Sequence, residues 1–247
     1  MIKKAKSIIK KLLENDAQII KLLQENINQS QELEWAHIYH DSIRGKKPIE
    51  DLSLNIGRWA GNYVFFYVLN RILSDYRPKK ILDLGLGESS KFISTYLQHY
   101  LTDSYHTIVE QDIEWVKSFK NRFELSDRSQ IVICDLTVSN IKGFDSNAYS
   151  DFGEKITENF DLYIIDGPFG SDRYSRYDII TLIERFDYKK EFIIMMDDTH
   201  RQGERETKND IIAILNLKKI PYYSNDYVGN KGLSIICSEK YKFSTSF

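Results

Sequence analysis

The chain has 247 residues and a mass of 29.1 kDa, with 42% hydrophobic and 13% aromatic residues but only 12 glycines and 4 prolines. That composition suits one globular domain with a modest extension and excludes collagen-like, mucin-like and wholly disordered chains. Lys plus Arg (34) nearly balance Asp plus Glu (36), so there is no basic excess of the kind nucleic-acid binding demands, and no nucleic-acid partner is expected. The two cysteines, Cys134 and Cys237, fall inside apolar strand-like runs, which fits a reducing compartment, with the cytoplasm expected. The longest apolar run, Tyr63 to Leu69, is far shorter than the roughly 20 residues that span a bilayer. The early lysines interrupt any apolar leader core, so no signal peptide is expected.

From Ile2 to about Ile27, apolar residues recur every three or four positions and predict an amphipathic helix. Its first eleven residues hold Lys3, Lys4, Lys6, Lys10 and Lys11 with no acid, a pattern compatible with a membrane-surface or partner-binding helix and equally with an ordinary helix packed on its own domain or on a second subunit of a homo-oligomer. The polar stretch Asn26 to Glu34 reads as a turn, followed by helices over about Gln31–Ile43 and Ile56–Leu73, the last ending before Arg77-Pro78. Residues 1–76 are thus expected as a helical extension that covers the acceptor side or mediates assembly. Residues 77–247 alternate strands and helices: strands at Lys80–Leu84, Tyr105–Glu110, Gln130–Cys134, Phe160–Asp166 and Glu191–Asp197, and helices at Ser90–Tyr100, Asp112–Phe123, Arg173–Phe186 and Glu206–Leu217. Two final strands, about Ile220–Tyr227 and Leu233–Cys237, are joined through Gly229-Asn230-Lys231-Gly232 as a hairpin. The predicted fold class is α/β, a doubly wound, mainly parallel sheet with a terminal antiparallel hairpin.

Ligands of open α/β sheets bind outside the carboxyl ends of the strands, so the residues placed there carry the functional reading. The first strand ends in Asp83-Leu-Gly85-Leu-Gly87-Glu-Ser89-Ser90 and opens into a helix, an arrangement that lets backbone approach an anionic group and equally serves close packing. As a dinucleotide fingerprint it fails, because Ser90 stands where G-x-G-x-x-G needs a glycine-like residue. Glu110 closes the second strand, where a carboxylate can accept from a ribose diol; Asp135 and Leu136 follow the third, where an acid and an apolar neighbour suit adenine.

This set resembles the class I S-adenosylmethionine-dependent methyltransferases. The resemblance covers about Arg77 to Ser238 and implies a Rossmann-like seven-stranded sheet. It also implies a cofactor held by Asp83, Gly85, Gly87, Ser89, Glu110, Asp135 and Leu136. Strand four ends in Asp166-Gly167-Pro168 and strand five in Asp197-Asp198-Thr199-His200. Three acids at neighbouring strand ends repel unless a cation joins them, and Mg²⁺ suits all-carboxylate ligation. They resemble the acids of the metal-dependent O-methyltransferases of the catechol, caffeoyl-coenzyme-A and macrolide-sugar types, and Asp166-Gly-Pro is similar to the glucuronoxylan methyltransferases, which act on a sugar hydroxyl. The implied reaction is methyl transfer to a hydroxyl of a small molecule or glycan, with Asp166, Asp197 and Asp198 on the metal. The catechol and caffeoyl types have a lysine three residues after the strand-four acid; here that place is Phe169, which leaves Asp166 and His200 as proton acceptors. Arg173, Arg176 and Arg201 are near enough in sequence to bind a substrate anion, or else lie on helix surfaces.

Overall fold

A computed structural model describes residues 2–247, with side chains from residue 14 onward. The lysine cluster at positions 3–11 lies outside the described side chains. Helix α1 (Ile2–Ile43) is continuous, so the turn expected over Asn26–Glu34 does not form. No glycine or proline occurs before Gly45, and local bonds such as Ser30 Oγ to Asn26 O (2.9 Å) satisfy the polar residues without breaking the helix. A short α2 (Lys47–Glu50) follows. Helix α3 (Tyr63–Arg71) starts at the Asn62 cap, which accepts from Phe65 N, so the segment 56–62 expected as helix is a loop. A π-turn over Ile72–Tyr76 and left-handed Arg77 (φ 50°) end it before Pro78.

The sheet then builds in chain order. Strand β1 (Lys80–Leu84) leads into α4 (Glu88–His99), β2 (Tyr105–Glu110) into α5 (Ile113–Lys120), and β3 (Ser129–Ile133) into a separate hairpin of β4 (Leu136–Ile141) and β5 (Phe144–Tyr149). After α6 (Phe152–Lys155) come β6 (Leu162–Ile165), α7 (Ile179–Ile183), β7 (Ile193–Met196), α8 (Gln202–Leu217), β8 (Tyr223–Val228) and β9 (Gly232–Cys237), closed by a 3₁₀ turn over Glu239–Thr245. The main sheet is ordered β3-β2-β1-β6-β7-β9-β8. Strands β1, β2, β3, β6 and β7 are parallel, and β9 runs antiparallel to both β7 and β8.

Alternation along the strands divides the core. Ile81, Leu162, Ile164, Ile193 and Met195 face one layer with Tyr39, Val64, Phe66 and Phe92 from α1, α3 and α4. Leu82, Leu84, Tyr163, Ile165, Ile194 and Met196 face the other with Ile179 and Ile183 of α7 and Ile211 and Leu215 of α8. The helices before residue 77 therefore cover one face of the sheet rather than form a separate core. Among the described residues, no helix is long and apolar enough to cross a membrane.

Candidate active site

Order reverses beside β1, whose neighbours β2 and β6 lie on opposite sides, and that switch point is where a doubly wound sheet opens a crevice. The glycine turn stands at it. Gly85 has φ +107°, and a Cβ there would meet the Asp166 and Gly167 backbone at 3.5 Å, so the β1 turn lies directly against the end of β6. A Cβ on Gly87 would meet nothing within 4 Å, which leaves open space above the start of α4. Gly167 of the Asp166-Gly167-Pro168 run is packed tightly: a Cβ there would lie 3.0 Å from Gly85 N and closer still to the Tyr149 hydroxyl.

Asp83 is fully buried and accepts from Ser90 Oγ at 2.7 Å and Ser89 Oγ at 3.0 Å, tying β1 to the first turn of α4. Its carboxylate therefore shapes the turn through the two serines. Glu110 accepts from Gln111 N (2.8 Å) and Asp112 N (2.9 Å) on Oε1 and from Leu86 N (3.0 Å) on Oε2. Three donors on a carboxylate with about four acceptor directions leave one direction for a ligand hydroxyl. Asp135 accepts from Ser150 N through its carbonyl, while Leu136 is a half-exposed residue at the start of β4. The glycine turn, Glu110 and Asp135 with Leu136 thus stand at or just after the carboxyl ends of β1, β2 and β3, donors and acceptors of a kind that would fit S-adenosylmethionine.

At the ends of β6 and β7, Asp166, Asp197 and Asp198 each bring a carboxylate oxygen within 4.8 Å of the others. A guanidinium stands among them. Arg176, 4% exposed in its side chain, places Nη2 3.0 Å from Asp166 Oδ1 and 2.9 Å from Asp198 Oδ2, and Nη1 3.1 Å from Asp197 O. Arg201 Nη1 lies 3.1 Å from Asp198 Oδ2, and buried Glu204 adds a fourth acid 3.9 Å from Arg176 Nε. Lys231 Nζ, from the β8–β9 turn, lies 3.9 Å from Asp198 Oδ1. Both Asp197 oxygens and Asp198 Oδ1 are buried without a hydrogen-bond partner. Orphaned carboxylate oxygens of Asp197 and Asp198, with the Asp166 carboxylate beside them, fit a hard divalent cation.

Burial pushes the Asp166 carboxyl up to about 8, with Arg176 opposing and the neighbouring acids adding to it. Burial likewise raises Asp197 to about 6, with Asp198 reinforcing it. Burial lowers the His200 pKa, which favours the neutral ring, and Gly232 N donates to its Nδ1 at 3.2 Å. The ring proton then sits on Nε2, which makes His200 a donor in this arrangement.

The helix expected over Arg173–Phe186 shrinks to α7 because Tyr174 (φ 46°) and Arg176 (φ 59°) adopt left-handed conformations that turn Arg176 inward, and Asp198 is left-handed too (φ 61°). Costly backbone of this kind concentrates where side chains must be aimed. Arg176 and Arg201 thus face the acids of the cluster, whereas Arg173 pairs with Glu206 at 2.6 Å and lies over the Phe144 ring at 3.9 Å. Sequence reasoning passed over Glu204 and Lys231, which lie in other segments and reach the cluster only through the fold.

No protein-family model matches the chain, and no curated protein matches it in sequence. Among solved structures it is similar to the O-methyltransferase TomG from Streptomyces achromogenes, involved in tomaymycin synthesis and solved with S-adenosylmethionine: TM-score 0.52, 11% identity, 87% of this chain and 98% of that one. An O-methyltransferase from Bacillus cereus in complex with S-adenosylhomocysteine gives a TM-score of 0.48 at 14% identity over 85% of this chain and 91% of that one. Strand order, the terminal antiparallel pair and the match to TomG together show that the chain has the Rossmann-like fold of the class I S-adenosylmethionine-dependent methyltransferases.

Proposed function

We propose that the protein is an S-adenosylmethionine-dependent O-methyltransferase acting on a hydroxyl of a small molecule or glycan, with a divalent cation, Mg²⁺ first, at Asp166, Asp197 and Asp198. The observation that carries the reading is the joining of two sites: the glycine turn at the switch point lies against the backbone of Asp166, the first acid of the cluster. The S-adenosylmethionine in the TomG structure supports the cofactor. On this reading Gly85 and Gly87 face its methionyl part, Glu110 takes a ribose hydroxyl with its remaining acceptor direction, and Asp135 and Leu136 meet adenine. Asp83, Ser89 and Ser90 hold the turn in shape.

Held by the three acids, a divalent cation would supply Lewis acidity that lowers the pKa of an acceptor hydroxyl. The acceptor oxygen forms a bond to the methyl carbon as the carbon–sulfur bond breaks, and the hydroxyl proton passes to a carboxylate. Asp166 is the acid for that role: its side chain is 22% exposed, against 5% for Asp198 and a fully buried Asp197. His200, with Nδ1 occupied, donates from Nε2 to an acceptor oxygen. A sugar-like acceptor is favoured by Trp59, 92% exposed in the loop whose Ala60 carbonyl accepts from Lys231, and by Phe169, 59% exposed beside Asp166-Gly167-Pro168. Exposed rings of this kind offer stacking faces.

Arg176 favours a second reading, in which the guanidinium is the cation of the cluster and Asp166 takes the proton without a metal. The experiment titrates S-adenosylmethionine by calorimetry into the wild type and Gly85→Val. It then follows transfer of a labelled methyl group to a panel of monosaccharides, oligosaccharides and catechols, with chelator and after readdition of Mg²⁺ or Mn²⁺. Unchanged cofactor affinity in folded Gly85→Val would sink the cofactor assignment. Full transfer in excess chelator would establish the second reading.

A further inference from the structure

Helix α1 reaches the candidate active site through one carboxylate. Glu32 is buried and accepts from three donors in two distant segments: Asn62 Nδ2 (2.8 Å) and Tyr63 N (2.7 Å) at the cap of α3, and Asn230 N (3.0 Å) in the β8–β9 turn. A Cβ on Gly229 would meet Asn62 Nδ2 at 2.9 Å and come closer still to Glu32 Oε2, so the turn is packed directly on this carboxylate. Trp35, one helical turn further along α1, donates from Nε1 to Val228 O at 2.9 Å and pins the other side of the same turn. The turn carries Lys231. Its ammonium donates to Ala60 O at 2.8 Å and stands 3.9 Å from Asp198 Oδ1, while Gly232 on its far side bonds Thr199 and His200 at the end of β7.

A buried carboxylate with three convergent N–H donors is a strong local anchor, because losing it leaves donors unsatisfied in a dry setting. Structural support of α3 alone would account for the bonds to Asn62 and Tyr63. The bond to Asn230, 198 residues away in sequence, has no such use and sets the position of the adjacent lysine. Counting the charges within the cluster, Asp166, Asp197, Asp198 and Glu204 face Arg176, Arg201 and Lys231, so the lysine is one of three cations that offset four acids.

We infer that Glu32 is a positioning residue of the site: it holds the Gly229–Gly232 turn so that the Lys231 ammonium stays beside Asp198 and sets the charge that the acid cluster presents to a cation or acceptor. The inference rests on the proposed function only for the consequence of that charge. The placement of Lys231 is tested independently of it.

The test uses the full chain as wild type, Glu32→Ala, Gly229→Ala, Lys231→Met and the Glu32→Ala/Lys231→Met double variant, each first checked for an intact fold by circular dichroism. Trace acetylation with acetic anhydride at one fixed pH, read by mass spectrometry, compares Lys231 with exposed Lys219 as an internal standard. Lys231 is expected to react several-fold more slowly than Lys219 in the wild type and to approach it in Glu32→Ala and in Gly229→Ala. Unchanged Lys231 reactivity in either folded variant overturns the inference. Calorimetry with Mn²⁺ alone reads the charge. Removing or displacing a cation 3.9 Å from Asp198 Oδ1 should tighten Mn²⁺ binding by roughly tenfold, equally in Glu32→Ala and Lys231→Met and with no further gain in the double variant. Additive gains overturn the claim that Glu32 acts through Lys231. Absence of Mn²⁺ binding in every form refutes the metal assignment alone, since the acetylation result still decides the position of the lysine.

Discussion

Replacing Arg176 by methionine isolates the electrostatics of the acid cluster, because methionine keeps much of the aliphatic volume and removes the guanidinium. In the folded chain that guanidinium contacts Asp166 and Asp198 and donates to the Asp197 carbonyl, and its side chain is almost wholly buried. Removing one partner of a buried ion pair costs about 3–5 kcal/mol, since the remaining charges are left uncompensated. For a chain of this size each kcal/mol moves the unfolding midpoint by about 2–4 °C, so Arg176→Met should melt some 6–20 °C below the wild type. Mn²⁺ should then take over part of the missing charge: at 100 times its dissociation constant a ligand contributes about 2.7 kcal/mol. Differential scanning calorimetry with and without Mn²⁺ reads both effects. The expected result is a large drop that Mn²⁺ reverses, with a greater Mn²⁺-induced rise in the variant than in the wild type. A drop under about 2 °C, or equal Mn²⁺ stabilisation of the two proteins, would refute the view that Arg176 and a metal answer to the same acids.

Three more outcomes follow from the geometry. Asp166 and Asp197 have folded-state carboxyls raised to about 8 and about 6, so their stability contribution is complete below the unfolded carboxylate range and is lost as pH rises through 6 and then 8. Cation binding must release those protons, so Mn²⁺ affinity by calorimetry should rise about tenfold per pH unit for each proton released between pH 6 and 8; a flat profile would count against these carboxyls as ligands. Gly167→Ala forces a methyl into the Tyr149 hydroxyl and should cost about 1–3 kcal/mol in urea unfolding. Tyr149→Phe in the same chain should recover part of that loss, and no recovery would place the strain elsewhere. Asp198→Asn should weaken Mn²⁺ binding less than Asp197→Asn, because Arg176 and Arg201 already occupy Asp198 Oδ2 while both Asp197 oxygens lack partners.

The strands were legible because Leu162–Ile165 and Ile193–Met196 are covered on both faces and so read as unbroken apolar runs. Residues at their ends were legible for the same reason, since topology alone brings Gly85, Asp166 and Asp197 to one rim. The β4–β5 hairpin was not. Half of its residues are polar and half are exposed, and its turn is built on left-handed Lys142 and Gly143, a weaker signal than Asn-Gly. Arg176 was misjudged because the pattern Arg173–Phe186 has helical spacing, whereas burial of one guanidinium among acids outweighs the propensity of five residues. Continuity of α1 was hidden by asparagine, glutamine and serine, which resemble a loop in composition but meet no residue that breaks a helix.

Residues 15–31 of α1 are almost entirely exposed, including Ile19, Ile20, Leu22, Leu23 and Ile27, while among the described residues its hydrogen bonds to the body start at Glu32. At 1.5 Å per residue this exposed stretch extends about 26 Å, close to the diameter of a small domain. In solution the molecule therefore has the hydrodynamics of a ball with a handle. A compact chain of this length has a radius of gyration of about 18 Å. X-ray scattering should exceed that value, rotational diffusion should be anisotropic, and trypsin should find Lys21 long before it finds any lysine of the body.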